Sequence, residues 1–388
     1  MNQIATNDEQ DWDPRSPEVL ADPLAAYDRM REQCPVAHSD YLHYSVFRHD
    51  DVLRIIEDHD TFSSRASRHL AVPNNMDPPE HTAYRRLIEP YFSAERIAAF
   101  EPLCRDLCRE RVATLPGDGP AEVMFGLAHP LALRLQCAFL GWPESLHLPL
   151  LEWIYRKNAA TLTGDSRATA AVAAEFDAVI REQLEARRAA GVNAPDDATT
   201  RLLNETVFGR PLSEEEVISI LRNWTVGELG TLASSIGILA GYLADHPRLQ
   251  QQLREQPELV WRANDEILRI HAPLMANRRT PTCPVRLGGR RVLPGQRLTL
   301  MWASANRDAR AFEAPLTVRL DRDPSKNLLY GAGIHACPGA GLARLELASM
   351  VQALLASRAV EKPEVADQQM AVYPASGYQH LVLQWHAL

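Results

Sequence analysis

Residues 328–341 read LLYGAGIHACPGAG, and the run after them, LARLELASMVQALLA, carries Leu347, Val351, Leu354 and Leu355 at helical spacing. A single cysteine stands among glycines with a histidine two residues before it. Gly331-x-Gly333-x-x-Ala336 fits a loose phosphate-cradle fingerprint, but that fingerprint follows a buried strand. Here only Leu328, Leu329 and Tyr330 separate the loop from the polar turn at 321–327. Zinc would need a partner pair for His335 and Cys337, and the chain has no C-x-x-C. The third reading takes each residue for its chemistry. Gly331, Gly333 and Gly339 let the backbone turn tightly and approach a flat ligand, and Cys337 at the start of a helix meets unpaired N–H groups and the positive dipole end. Both stabilise a thiolate, which suits iron.

Composition narrows the class. The 388 residues leave room for a large core, and six cysteines at 34, 104, 108, 137, 283 and 337 have no disulfide-framework spacing, which indicates a reducing compartment. Cys104 and Cys108, one helical turn apart, read as small core residues. The net charge of −9, from 41 basic and 50 acidic residues, disfavours nucleic acid. The first residues carry neither a basic n-region nor an apolar h-region, and no apolar run is expected to reach the roughly 18 residues of a membrane span. A soluble, cytoplasmic protein without a membrane partner is expected.

Most of the chain reads as helix: 23–32, 50–58, 79–92, 94–114, 130–140, 168–189, 214–244, 247–256, 259–271 and 339–357. Strand signals are few. Residues 285–287, 291–293 and 296–302 read as one small antiparallel sheet, and 370–373 with 381–385 as a late hairpin. Residues 1–17, rich in Pro and Asp, are expected to be loose, with one domain over 18–388.

The loop resembles the haem-binding loop of the cytochromes P450, F-G-x-G-x-H-x-C-x-G followed by A-R-x-E, with Ala343-Arg344-Leu345-Glu346 completing it and Tyr330 departing from the usual Phe. The resemblance implies a mainly α fold with small antiparallel sheets and haem b (iron protoporphyrin IX) on Cys337. It also implies insertion of one oxygen atom from O2 into a small or medium-sized, largely apolar molecule. No flavin or iron-sulfur segment is present, so electrons are expected from a ferredoxin and its NAD(P)H-dependent reductase, serving a monomer. Arg344 reads either as part of that docking face or as an ordinary surface arginine. A peroxide-driven or nitrogen-oxide-reducing enzyme, or a haem sensor or carrier, are the rival readings.

Further segments extend the resemblance. In DPPEHTAYRR, His81 and Arg85 share a helix face, which by itself reads as solvated; the matching family residues bind a haem propionate, as do those matching Arg278 and His335. Glu266-x-x-Arg269 reads alone as a weak surface pair, but by resemblance joins Arg322 in a buried network behind the loop. The helix opened by the capping box Ser213-x-x-Glu216 contains VGELGTLASSIG, whose Gly227 and Gly230 each cost about 1 kcal/mol relative to Ala. They read either as close packing or as an oxygen groove. Aligned with (A/G)-G-x-(D/E)-T, Thr231 matches the threonine that serves bound oxygen; Glu228 replaces a glycine and Gly230 replaces the acid. Glu228 is therefore expected either to substitute for that acid or to form a salt bridge. Expected pocket residues are Val72, Asn74, Asn223, Val226, Gly227, Leu274 and the 376–377 turn. The short loop before His81 predicts an accessible haem and a mobile 72–75 segment.

Overall fold

A computed structural model describes residues 11–67, 69–163, 165–373 and 375–388. The fold is mainly helical with small sheets, as the sequence implies. The chain gathers into two compact units. The first comprises the residues up to His69, Asn74–Asp77 and Arg269–Cys337; the second comprises Leu70–Pro73, Pro78–Leu268 and Pro338–Leu388.

The first unit is built on a five-stranded sheet in the order Val36–Ser39, His43–Val46, Leu298–Leu300, Asn277–Pro281, Phe62–Ser63. Its apolar residues, among them Val36, Val46, Phe62, Leu298 and Leu300, join Val52, Ile55 and Ile56 of the helix His49–Glu57 in one core cluster. The hairpin Val285–Leu287 and Arg290–Val292 forms as expected. The third expected strand does not stay with it: Leu298–Leu300 pairs instead with residues 44–46 and 277–279. The reason is the burial of all three of its residues, which needs partners on both edges rather than a place in an exposed hairpin.

The N-terminal expectation is also revised. Residues 1–10 lie outside the described residues, but 11–17 are packed on the first unit. Trp12 is buried edge-on against Phe47, with ring centroids 5.3 Å apart, and Tyr27, and Asp11 pairs with Arg290 at 2.5 Å. An indole brings more apolar surface than a Pro- and Asp-rich segment suggests, and its burial fixes the chain.

The second unit is a stack of helices with a four-stranded sheet on the long strand Tyr378–Ala387. Its axis is the run Glu214–Asp245: a helix to Gly227, a π-helical turn Glu228–Leu232, then a helix from Ala233. The capping box is present, with Ser213 Oγ accepting from Glu216 N and Glu216 accepting from Ser213 N. By length and composition this run could cross a membrane, contrary to the expectation that none reaches that length. In the most apolar window 67% is buried inside the fold, and a helix enclosed by protein is apolar all round for that reason. The helices His147–Thr163 and Ala198–Leu203 were not legible in the sequence pattern.

Candidate functional site: the Cys337 loop and the Gly227–Thr231 groove

In the first unit the loop is a pair of tight turns anchored at its base. Leu328 N donates to Asn306 Oδ1 at 2.8 Å, and Gly331 N to Leu328 O at 2.9 Å. Leu328 belongs to the core cluster and Ala332 packs on it. Gly331 and Gly333 adopt φ of +70° and +66°, where a side chain is strained. Gly333 is further constrained, because a Cβ there would lie 2.6 Å from Ile56 O. Ala336 N closes on Gly333 O at 3.1 Å and Cys337 N on Tyr330 O at 2.8 Å, which leaves the Cys337 side chain exposed. The following helix, Ala340–Ser357, is capped by Gly339, so the cysteine precedes the first turn. His335 Nε2 lies 2.9 Å from Ser64 Oγ and 3.1 Å from Met76 O, which orients the ring.

The two arginines on the strand Asn277–Pro281 differ in burial. Strand alternation points neighbours to opposite faces; Arg278 is exposed and Arg279 is 5% exposed. Burial pushes the Arg279 guanidinium down from 12.5 to about 10, with Asp77 pulling the other way, and it makes no ion pair among the described residues. Arg279 also donates to Arg278 O at 2.7 Å, whereas Arg278, on the opposite face, is the accessible one of the two; adjacent identical residues hide that difference in the sequence. Arg269 is fully buried, donates to Asn306 O at 2.6 Å and Pro315 O at 2.8 Å, and stacks on Phe312. Arg322 approaches the same ring and donates to Glu313 O, Ala314 O and Thr317 O. Both thus brace the 306–322 segment. Leu274 and Asn74 are exposed.

In the second unit, His81 is buried in the helix Glu80–Ile88, and Arg85 one turn on pairs with Glu89 at 3.0 Å. Between them Tyr84 donates to Glu216, which also accepts from Arg210 at 2.7 Å; these bonds tie that helix to the start of the long one. Glu266 is 6% exposed, and Arg344, on a partly exposed helix face, pairs with the buried Asp265 at 2.9 Å.

The expected mobile segment is instead clamped where it meets this unit. Ser219 Oγ accepts from Val72 N at 2.9 Å and donates to Leu70 O at 3.1 Å, Arg222 donates to Leu70 O at 3.0 Å, and Asn223 Nδ2 donates to Val72 O at 3.0 Å. Within the first unit Asn75 Nδ2 donates to Ser67 O at 2.7 Å and His69 O at 3.2 Å. Val72 is completely buried and the partly exposed Asn223 is engaged with it, so both help to hold the segment. Sequence spacing carries no sign of bonds between positions about 150 apart.

Further along the helix a Cβ on Gly227 or Gly230 would meet nothing within 4 Å. This face of an otherwise buried run is an open groove, not a close-packed seam, and Val226 and Thr231 are partly exposed beside it. Glu228 makes no ion pair among the described residues, contrary to the salt-bridge alternative. It is partly exposed as a residue, yet its Oε1 is sealed, and burial pushes its carboxyl up. Ser376 O accepts from Ser234 Oγ at 2.7 Å, and Gly377, at φ +76°, packs so closely that a Cβ would lie 2.7 Å from the same hydroxyl.

The exposed thiol in a braced loop, the exposed Arg278 and the open face beside Thr231 are each suited to a flat, anionic, iron-bearing group. Comparison with known proteins agrees. The Cytochrome P450 family model matches residues 144–382. A probable cytochrome P450 127A1 of Sinorhizobium fredii is 30% identical over 78% of this chain and 73% of its own. The cyclomarin C epoxidase CymV of Salinispora arenicola is 28% identical over 84% of this chain and 86% of its own. Among solved structures, cytochrome P450 CYP109Q5 from Chondromyces apiculatus matches with a TM-score of 0.84 and 27% identity, over 96% of this chain and 97% of its own. The chain belongs to the cytochrome P450 family and is a haem-thiolate monooxygenase, an oxidoreductase.

Proposed function

We propose that the protein inserts one oxygen atom from O2 into a small or medium-sized, largely apolar organic molecule, with electrons from a ferredoxin and its NAD(P)H-dependent reductase. Cys337 carries this reading: its thiol is exposed, its backbone N–H donates to Tyr330 O, and the loop turns on glycines whose φ no other residue adopts without strain. Haem b, when bound, would supply the oxidising chemistry, and Cys337 would hold its iron through the thiolate. His81, Arg85, Arg278 and His335 would hold the propionates, each charge-assisted bond contributing about 1.5–3 kcal/mol. Glu266 is assigned to the network with Arg269 and Arg322 that keeps the loop in place.

Thr231 lies on the groove face and would position a proton at the reacting oxygen. With glycine at 230, Glu228 is the acid on that turn, and its raised affinity for protons suits a donor. Val72, Asn74, Asn223, Val226, Gly227 and Leu274 are the residues assigned to substrate. The catalytic domain is read as 18–388, since the solved relative matches over nearly the whole of both chains; a cytoplasmic monomer is proposed.

Cys337→Ser should abolish the thiolate signature in the reduced, carbon monoxide-bound spectrum even where haem is retained, because a neutral hydroxyl donates poorly to iron. An unchanged spectrum would overturn the assignment. Turnover that needs NAD(P)H, ferredoxin and reductase, with one atom of labelled O2 in the product, is expected; product formed only with added peroxide would refute the electron source.

A further inference from the structure

Within the second unit a second carboxyl faces Glu228. Glu346 stands on the helix Ala340–Ser357, 118 positions away in sequence, and is 1% exposed. No N–H or O–H donor among the described residues reaches Glu228 Oε1 or either Glu346 oxygen. What lies within hydrogen-bonding reach of each carboxyl is the other one. Two ionised carboxylates in such a place repel each other and lack water, whereas one proton between them turns the contact into a short hydrogen bond and leaves a single charge.

The other titratable groups beside the pair are two thiols, of which Cys104 acts on Glu346 and is acted on by Glu228. The helix Ala94–Ala113 brings Cys104 and Cys108 to this cluster, with Arg105 acting on both thiols. Cys108 Sγ is directed at the backbone oxygen of Glu346, 4.0 Å away, rather than at its carboxyl, and the two thiols act chiefly on each other. No titratable group of the helices His129–Leu140, Ala233–Asp245 or Pro247–Glu255 acts on either acid.

We propose that Glu228 and Glu346 hold one proton between their carboxyls and act together as the acid that serves Thr231. The proposal rests on the reading of Glu228 as the donor and adds Glu346 as the positioning residue that keeps it charged with a proton. Delivery of that proton leaves two facing carboxylates. That arrangement is unfavourable enough to draw a proton back from solvent before the next cycle, so the net uptake is still the two protons that monooxygenation consumes. Burial raises the proton affinity of both acids; the negative neighbour adds to this at Glu346, while the hydrogen bond from Glu346 lowers it at Glu228.

The test is an infrared pH titration of the haem-loaded protein, reading the carbonyl stretch of protonated carboxylic acid, for wild type, Glu228→Gln and Glu346→Gln. Wild type should retain one protonated buried acid at neutral pH; none there overturns the proposal without any variant. In either variant the remaining acid faces a neutral amide in place of a carboxylate, so its ionisation should fall below that of the wild-type pair by about one pH unit or more. Ionisation that either variant leaves in place overturns it. Product yield per NAD(P)H gives the second reading: both variants should release peroxide, and the double variant should be no worse than the worse single one. A fully coupled Glu346→Gln beside an uncoupled Glu228→Gln would overturn the pair and leave Glu228 acting alone. Two coupled variants would overturn both readings.

Discussion

Adding one methyl group at Gly333 should be far more damaging than adding it at Gly331, although the two glycines share nearly the same backbone conformation. At φ near +70° an alanine costs about 1–2 kcal/mol at either position. At Gly331 that is the whole cost, since the nearest atoms to the new Cβ would be Ala336 Cα and His335 O at 3.9 Å, ordinary contact distance. At Gly333 the Cβ would stand 2.6 Å from Ile56 O and 3.4 Å from Ile56 C. Both are backbone atoms at the end of the helix His49–Glu57 and cannot rotate away. Relief requires the loop or the helix to move, and overpacking of this kind typically adds about 1–3 kcal/mol. Gly333→Ala should therefore lose roughly 2–5 kcal/mol, a large share of the roughly 5–15 kcal/mol of a typical fold. The moving part carries Cys337 four residues on, so haem occupancy and the thiolate spectrum should fall with it. Urea unfolding of both variants, with haem content and the carbon monoxide spectrum measured alongside, checks this. A Gly333→Ala protein as stable and as well loaded as Gly331→Ala would refute the claim that loop-to-helix contact fixes the cysteine.

Burial, then the charge of Lys157, pushes His129 down from 6.5 to about 4. The unfolded chain therefore takes up this proton first on acidification; stability is whole above about 6.5 and is lost as pH falls, by about 2 kcal/mol between pH 7 and 5. His129→Gln should remove that slope in urea titrations at the two pH values, and an unaltered slope would refute the shift. Ser219→Ala strips the buried Val72 N–H of its acceptor, a loss of about 1–3 kcal/mol, and should raise amide exchange at Val72; unchanged protection would show that the clamp does not depend on this hydroxyl. Glu266→Ala removes a buried carboxylate three residues from Arg269 and should cost about 3–5 kcal/mol, seen as a lower yield of haem-loaded protein. Normal yield with normal haem content would place Glu266 outside the network.

The sequence by itself determined the parts whose causes are local. Ser213 and Glu216 close their capping box because the reciprocal bonds lie within one turn. The glycines at 331 and 333 were legible as tight-turn residues because their freedom of φ depends on no neighbour. The helices at 94–113 and 247–255 fall within a residue of the expected bounds for the same reason. What depends on partners far along the chain was decided only by the tertiary structure. Leu298–Leu300 continues the hairpin in sequence, yet it pairs with residues 44–46, because two buried edges offer more hydrogen bonds than one exposed edge. Arg278 and Arg279 are the same residue type, and only the packing of the sheet decides which one is buried. Val72 gives no sign in the sequence of the bonds by which Ser219 and Asn223 claim its backbone. Glu228 reads as a lone acid on a helix until folding brings Glu346 against it, and an acid's readiness to hold a proton is set by what surrounds it rather than by its place in the chain.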